Sequence, residues 1–421
     1  KGQVGNMSVT PRVEKIRQNY VNTKPSISYE RARIWTESFK RTEGQPAAIR
    51  TAQAFYDTCN ELCVNIFEGE LIVGASGEFR KCGILTPEFA WKWVDDEMDN
   101  FPSRPQDPYE MTDEQRKFVR ENIFPYWKGK SVEDAFLART SEETKKIGVD
   151  TGFLDTDSKW RNGIGEISPD YIDQLFPKGF GGIKREAEEY MAELNEAIPE
   201  DKDKMVFYRS IILVSDGIVR LANRYSEKAK EMAAEEKDEA RKAELLEIAE
   251  VCVKVPENPP TSFREALQFA WFVQLGGIIS ENPLALNPGR FDQYMYPYYK
   301  ADEEAGKIDY DTALELVECL WLKYSEWAWT ISANTADFFA GYTNFENLTV
   351  GGSTVSGGDG TNTISYMAIQ ATKETKCHQP TLSCRIHPDC PPEFMEAVTD
   401  LVSTGCGFPA IHSDRTGYQM L

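Results

Sequence analysis

A chain of 421 residues with 41% hydrophobic and 12% aromatic residues can bury a large interior, which excludes a disordered protein. Its formal net charge of −21 repels phosphate backbones, so we expect no nucleic-acid partner. No run of about eighteen apolar residues occurs, and no basic and apolar leader pattern lies near Lys1, so we expect a cytoplasmic protein without a membrane anchor.

Helical periodicity dominates the chain from residue 28 to residue 329. Thr112 is a predicted helix N-cap, and Ser131 ahead of Glu133 is a second helix-start signal. The charged stretch 227–242 is interpreted as an exposed helix or turn. Apolar residues at helical spacing predict helices over residues 28–41, 47–67, 87–99, 112–122, 131–146, 207–253, 262–275, 291–299 and 310–329.

The predicted strands are few, short and apolar. They cover residues 71–73, 277–279, 347–351 and 382–386. Short buried strands separated by helical stretches favour an α/β barrel with a site at the strand ends. The glycine-rich stretch 351–360 has no Lys-Ser/Thr ending, so it is predicted to be a turn and not a phosphate-binding loop.

The nine cysteines are an odd number, scattered along the chain and mostly set in apolar surroundings. This usage is typical of reduced thiols. Cys384 and Cys390 lie near His378 and His387, but the spacing fits no standard ligand pattern. We therefore expect no metal site.

The segment 159–166 carries the first candidate chemistry. Arg161 and Glu166 are five residues apart on a stretch punctuated by glycines, with Lys159 and Trp160 beside them. The planar fork of arginine suits a carboxylate or a sulfonate, and Glu166 could accept a hydrogen bond or a proton. From the residues alone, an ion pair between Arg161 and Glu166 that ties the loop is the favoured alternative.

Two apolar segments carry the second candidate. Leu284 and Leu286 precede the predicted helix 291–299, and Phe345 leads into a predicted strand that ends at a glycine pair. From the residues alone, such side chains are more often core than pocket.

Six segments along the chain form a specific combination of motifs. They are 24–44, 70–74, 103–109, 125–130, Gly289-Arg290-Phe291-Asp292-Gln293-Tyr294 and Phe345-Glu346-Asn347-Leu348-Thr349-Val350-Gly351-Gly352. Together these segments are similar to the glycyl radical enzymes, the pyruvate formate-lyase-like family. The similarity runs over essentially the whole chain and corresponds to the N-terminal half, since full family chains are about twice as long. The branch it resembles is that of the choline lyases, diol dehydratases and sulfonate sulfite-lyases.

The resemblance implies the N-terminal part of a ten-stranded α/β barrel, made of two half-barrels and wrapped by many helices. Residues 1–421 would be one portion of a single large barrel domain. The family also implies a finger loop with a Cys in a Gly-Cys-x-Glu context and a C-terminal glycyl radical domain. None of the nine cysteines has that context. We therefore expect both parts outside this chain and no catalytic residue within it.

The family further implies an anaerobic homodimer with no bound cofactor. A radical SAM activating enzyme would install the glycyl radical after translation, and the radical would oxidise the Cys to a thiyl that takes a hydrogen atom from the substrate.

The resemblance implies that the two candidate segments form walls of a pocket that face the substrate. A pocket with a cationic loop and apolar walls suits a small anion, because an arginine offsets the desolvation of a sulfonate. Our leading hypothesis is a C–S lyase that releases sulfite from a hydroxyalkanesulfonate such as isethionate. The alternatives are an arylacetate decarboxylase, a C–O or C–N lyase such as a diol dehydratase or choline trimethylamine-lyase, and a non-catalytic structural half or paralogue. The predicted substrate-binding residues are Lys159, Trp160, Arg161, Ile164, Glu166, Leu284, Leu286 and Phe345.

Overall fold

The structure is a computed structural model that describes residues 9–153, 163–342 and 344–420. Helices make up most of it. Short 3₁₀ or π-helical turns cover Phe101–Ser103, Val119–Ile123, Lys145–Val149 and Tyr171–Leu175. The α-helices are Pro11–Asn22, Glu30–Arg41, Ala47–Glu61, Lys92–Glu97, Asp113–Phe118, Phe124–Trp127, Val132–Arg139, Glu142–Thr144, Phe176–Ala192, Pro199–Glu235, Glu239–Lys254, Phe263–Glu281, Phe291–Glu304, Tyr310–Glu326, Ala333–Phe338, Thr363–Thr375, Pro392–Ser403 and Asp414–Met420.

Within the described residues, seven short strands form three parallel groups. Strand β1 pairs with β2, β3 pairs with β4, and β5, β6 and β7 form a three-stranded sheet in that order. The strands are β1 (Ser26–Ser28), β2 (Cys82–Ile84), β3 (Gly163–Ile167), β4 (Pro283–Leu286), β5 (Asn347–Gly351), β6 (Thr381–Ile386) and β7 (Ala410–Ser413).

Parallel bridges join β4 to the chain that enters β5. Ala285 pairs with Phe345, and Gly289 pairs with Leu348. The Leu286 amide donates to the Phe345 carbonyl at 3.1 Å, and the Phe345 amide donates to the Leu284 carbonyl at 3.2 Å. Strands β3 to β7 therefore run side by side in chain order as five parallel strands. This arrangement is one half-barrel of the kind that the resemblance implies.

Helices cover one face of this five-stranded array. The crossover from β5 to β6 contains the helix Thr363–Thr375, and the crossover from β6 to β7 contains Pro392–Ser403. Parallel strands need such crossovers, and the strand face beneath them is apolar. The side chains that point to this helix layer are fully buried in β5 and β6, namely Leu348, Val350, Leu382 and Cys384.

The predicted helix starts are confirmed at two positions. The Thr112 hydroxyl accepts from the Gln115 amide in a capping box, and the Ser131 hydroxyl accepts from the Asp134 amide. The helical segment predicted over 207–253 is interrupted: the chain forms Pro199–Glu235 and Glu239–Lys254, the second capped by Asp238. The break lies inside the charged stretch 227–242, which the sequence leaves open as an exposed helix or a turn. The helix predicted over 131–146 is also interrupted, at Thr140.

Two predicted strands are confirmed and two are wrong. Residues 347–351 and 382–386 lie in β5 and β6. Residues 277–279 belong to the buried helix Phe263–Glu281, which continues past the predicted end at residue 275. Apolar residues surround this helix, so no polar face marks where it ends. Residues 71–73 are irregular, because the Gln268 side chain satisfies both backbone groups of Val73, accepting at 2.9 Å and donating at 2.8 Å.

The glycine-rich turn after β5 is confirmed. The Thr354 amide donates to the Gly358 carbonyl, and the Gly357 amide donates to the Thr354 carbonyl.

The buried apolar side chains form one hydrophobic core, whose members extend along the sequence from Val13 to Leu401. Among the described residues, none of the helices is long and apolar enough to cross a membrane. The assignment of residues 1–421 to one portion of a larger domain stays a prediction.

Candidate functional site

A row of three side chains crosses the face of the half-barrel that lies opposite the helices. Glu166 of β3 pairs in register with Ala285 of β4, and Ala285 pairs with Phe345. Neighbours in register on parallel strands point to the same face. Glu166 is exposed and Phe345 is half-buried. We call the face that carries these three residues the inner face.

Leu284 and Leu286 lie on the opposite side of β4, because side chains alternate along a strand. Both are buried, with 7% and 1% of their surface exposed. Leu286 packs against the helix Phe263–Glu281, where a Cβ on Gly277 would lie 2.7 Å from its Cδ2. The geometry therefore places the two leucines behind the inner face, and their predicted contact with substrate stays a prediction.

Aromatic packing holds the Phe345 ring in place. Its centroid lies 5.5 Å from that of Phe339 in an edge-on arrangement, and Phe339 contacts Trp329 at 6.1 Å in the same way. Such edge-to-face pairs stabilise a defined ring orientation. Phe345 is thus a rigid apolar wall beside the exposed carboxylate of Glu166.

The amide side chain of Asn287 links three strands near this row. The Asn287 amide nitrogen donates to the Ser168 hydroxyl at 3.2 Å, and the Asn287 carbonyl oxygen accepts from the Asn347 backbone at 3.3 Å. The ends of β3 and β4 are thereby joined to the start of β5.

A cavity of about 460 Å³ lies at the carboxyl ends of β5 to β7. The Arg385 Nε donates to the Asp414 carboxylate at 2.6 Å, and the second carboxylate oxygen accepts from the Ser353 amide at 2.6 Å. Burial opposes ionisation of Asp414, but these two hydrogen bonds prevail and lower its pKa. The cavity is lined by Thr349, Arg385, His412, Ser413, Asp414, Gly417 and Tyr418.

Sequence reasoning did not select Arg385, His412 or Asp414. The available signal was the expectation of a site at strand ends, since Arg385 lies in the predicted strand 382–386. That signal does not reach His412, because none of the strands predicted from the apolar pattern corresponds to β7. Only the family resemblance of residues 407–412 to a strand and turn indicates a strand there. The inner face therefore presents an aromatic wall, a carboxylate and, at one edge, a fixed guanidinium. These groups can bind and orient a small polar molecule.

Four of the eight predicted substrate-binding residues lack a described side chain. Lys159, Trp160 and Arg161 lie outside the described residues. Ile164 lies in β3, and only its backbone is described. All four precede Glu166 in the sequence.

Comparison with known proteins places this half-barrel in a family. The family model described as "Pyruvate formate lyase-like" matches residues 7–421. The chain belongs to this family, and the resemblance predicted from its motifs is confirmed.

Individual relatives show which branch of this family the chain is similar to. The isethionate sulfite-lyase of Oleidesulfovibrio alaskensis is 36% identical over 414 residues, covering 96% of this chain and 50% of the relative. The trans-4-hydroxy-L-proline dehydratase of Clostridioides difficile is 32% identical, covering 97% and 52%. A solved structure described for 1,2-propanediol dehydration in Roseburia inulinivorans superposes with a TM-score of 0.94 at 35% identity, covering 97% of this chain and 51% of that one.

The chain spans about half the length of these relatives. The expected N-terminal half of a glycyl radical enzyme barrel agrees with this coverage and with the five parallel strands.

Proposed function

We propose that the intact protein is a glycyl radical lyase that cleaves the C–S bond of a hydroxyalkanesulfonate such as isethionate and releases sulfite. One observation carries the proposal: isethionate sulfite-lyases from four bacteria are 34–36% identical to this chain over 96% of its length. An arylacetate decarboxylase has weaker support, because an indoleacetate decarboxylase is 26% identical.

We propose an anionic substrate with a hydroxyl group for the inner face. In this proposal Arg161 and Lys159 bind the sulfonate, since a bidentate guanidinium offsets the cost of removing a permanent anion from water. Glu166 accepts a hydrogen bond from the substrate hydroxyl. Phe345 closes the pocket beside the carbon chain, with Trp160 and Ile164 on the neighbouring segment and Leu284 and Leu286 behind it.

The proposed reaction conserves every atom of the substrate. A thiyl radical takes a hydrogen atom from the carbon next to the one that bears the sulfonate. The C–S bond then breaks, sulfite leaves with the bonding electron pair, and the hydroxyl group loses its proton to the medium as its oxygen becomes a carbonyl. The hydrogen atom returns from the Cys thiol to the carbon that bore the sulfonate, so that isethionate gives acetaldehyde, sulfite and a proton. We propose that the thiyl Cys and the radical Gly lie beyond these 421 residues. A radical SAM activating enzyme as partner, a homodimer and a cytoplasmic location belong to the same proposal.

C–O cleavage is the second candidate function. The structural similarity to a protein of 1,2-propanediol dehydration, with a TM-score of 0.94, favours it. Both reactions begin at a carbon that carries a hydroxyl group, and Glu166 suits either substrate. The two candidates differ in the group that leaves, which is sulfite in one reaction and water in the other.

The deciding experiment uses the intact protein, activated anaerobically by its radical SAM partner. It is supplied in parallel with isethionate, 1,2-propanediol and trans-4-hydroxy-L-proline, and the products are quantified. We expect equal amounts of sulfite and acetaldehyde from isethionate. A protein that carries a glycyl radical but releases no sulfite contradicts the C–S assignment, and turnover of the diol alone establishes the second candidate.

The role of Arg161 is tested separately by binding to the unactivated protein. We expect Arg161→Ala to weaken isethionate binding by about 1.5–3 kcal/mol, the usual contribution of a hydrogen bond to a charged group. The matched control is Arg139→Ala, at an exposed helix end away from β3. Unchanged affinity in Arg161→Ala would assign this arginine to an ion pair with Glu166.

A further inference from the structure

Three side chains with metal-binding atoms meet at the carboxyl edge of the half-barrel. Asp359 comes from the glycine-rich turn after β5, and His387 and Cys390 come from the loop after β6. The His387 Nε2 lies 2.9 Å from the Asp359 Oδ1. The three candidate ligand atoms all lie within 4.8 Å of one another. Ligand atoms around a single ion have spacings of this order.

Backbone contacts already hold these residues in position. The His387 amide donates to the Cys390 Sγ at 3.2 Å, and the Cys390 amide donates to the His387 carbonyl at 3.1 Å, so the two residues form a tight turn. Asp359 is fixed by a bridge to Ser353 and by the Thr361 hydroxyl, which donates to its Oδ1 at 3.0 Å. The His387 side chain is only 6% exposed. Little reorganisation would be needed to bind an ion.

The surroundings of the Cys390 sulfur carry excess negative charge. The carboxylates of Asp359, Asp414 and Asp389 all interact electrostatically with this thiol. The nearby guanidinium of Arg385 is already paired with Asp414. A divalent cation would compensate the carboxylates that have no such partner.

We propose that Asp359, His387 and Cys390 bind one divalent transition-metal ion, with zinc as the favoured metal. A carboxylate, an imidazole and a thiolate form a ligand set typical of zinc. Three protein ligands leave the fourth tetrahedral position for water. On binding, the Cys390 thiol releases its proton, and the ion replaces the hydrogen bond between His387 and Asp359. The ion would then cross-link the loops that follow β5 and β6.

The sequence did not indicate this site because its ligands come from two separate loops. His387 and Cys390 are three residues apart, but Asp359 lies 28 residues before His387, beyond any local spacing pattern. The expectation of no metal site depended on local spacing alone. None of the three residues belongs to the proposed substrate walls, so this proposal is independent of the substrate.

The test is Co(II) titration of the intact, reduced, metal-free protein without an affinity tag, followed by Zn(II) competition. We expect one equivalent of Co(II) to give the visible bands of a tetrahedral site and a near-ultraviolet thiolate-to-cobalt charge-transfer band. Zn(II) should remove both signals at one equivalent. Removal of single ligands by Cys390→Ser, His387→Ala or Asp359→Asn should weaken binding by about tenfold or more.

Cys406→Ser is the matched control, since Cys406 is exposed and lies outside the cluster. It should leave the titration unchanged. Circular dichroism of each variant separates loss of binding from loss of fold, and a folded Cys390→Ser protein must lose the charge-transfer band. The proposal is overturned if wild-type protein binds no equivalent of Co(II) with thiolate character, or if Cys390→Ser keeps the band.

Discussion

Asp414 and Arg385 form an ion pair that joins the end of β6 to the helix following β7. The Arg385 Nε donates to the Asp414 carboxylate at 2.6 Å, and the Asp414 side chain is only 4% exposed. The same carboxylate accepts from the Ser353 amide after β5. One buried side chain therefore connects the ends of three adjacent strands.

We expect Asp414→Asn to destabilise the protein by about 1.5–3 kcal/mol, because the amide lacks the charge that binds Arg385 and leaves a half-buried guanidinium with a weaker partner. Urea unfolding at pH 7 measures the change. Asp400→Asn, on the exposed side of the helix Pro392–Ser403, should change stability by less than about 0.5 kcal/mol. Equal effects of the two substitutions would show that the ion pair contributes nothing specific.

Lys323 is at the centre of a buried network of four charges. Its ammonium group lies 2.6 Å from the Glu70 carboxylate and 2.7 Å from that of Glu326, which also pairs with Arg80. All four side chains are at most 7% exposed. The two positive and two negative charges compensate one another.

Removing one charged group from this network should lower the free energy of unfolding much more than removing an exposed charged group. We expect Lys323→Met to lower the free energy of unfolding by about 3–5 kcal/mol, because two carboxylates are left buried with one arginine. Lys300→Met, which breaks an exposed pair with Glu304, should cost less than about 1 kcal/mol. Thermal and urea unfolding of both variants check the contrast, and a loss below 1 kcal/mol in Lys323→Met would contradict it.

The sequence predicts the helices of this fold better than its strands. Helices such as Glu30–Arg41 and Tyr310–Glu326 carry an apolar stripe that periodicity detects. Strands β1 and β2 have three residues each, too few for any period to appear, and β3 is rich in glycine. The order of β3 to β7 depends on long-range pairing, which no local pattern contains.

The candidate site was predictable only in part, and through family resemblance. The residues alone favour Phe345 as a core residue and Glu166 as the partner of Arg161 in an ion pair within the loop. The family motifs instead assign Phe345 and Glu166 to the wall of the substrate pocket. Their position beside Ala285 requires the register between three strands, which the sequence alone does not give. The separation of Leu286 from this row follows from strand alternation once β4 is known.

Substitutions on the two faces of the strand array should have opposite consequences, with Phe345 on the inner face and Leu286 on the face toward the helices. We expect Phe345→Leu to lower kcat/KM of the activated intact protein, because the substrate loses a rigid aromatic wall, with a stability loss below about 2 kcal/mol. We expect Leu286→Ala to destabilise by about 2–5 kcal/mol through a cavity at Gly277, with kcat/KM of the folded fraction unchanged. Kinetics and urea unfolding on both variants test this. A Leu286→Ala protein that folds well but turns over poorly would move Leu286 into the substrate wall.

Glu318 and Glu374 form a carboxyl pair between two helices, Tyr310–Glu326 and Thr363–Thr375. Glu318 is 1% exposed. Burial, then the hydrogen bond and the charge of Glu374, then the charge of Glu315, raise the pKa of Glu318 from 4.5 to about 9. Glu374 also accepts from the Gln370 side chain at 3.0 Å. The raised pKa favours the neutral form of Glu318 at neutral pH.

This raised pKa gives the protein a defined pH dependence. The stabilising contribution of neutral Glu318 is fully present below about pH 4.5 and is lost as the pH rises through about 9, because the unfolded chain ionises first. The slope from this one group is at most about 1.4 kcal/mol per pH unit. Glu318→Gln keeps a neutral donor at every pH.

We therefore expect the stability of Glu318→Gln relative to wild type to increase steadily from pH 5 to pH 9. Urea unfolding at one-unit intervals of pH measures the difference, which cancels the titration of all other groups. Glu396→Gln, at an exposed site on the helix Pro392–Ser403, should follow wild type across the same range. A constant difference between Glu318→Gln and wild type over these pH values would mean that Glu318 ionises in the folded protein as it does in the unfolded chain.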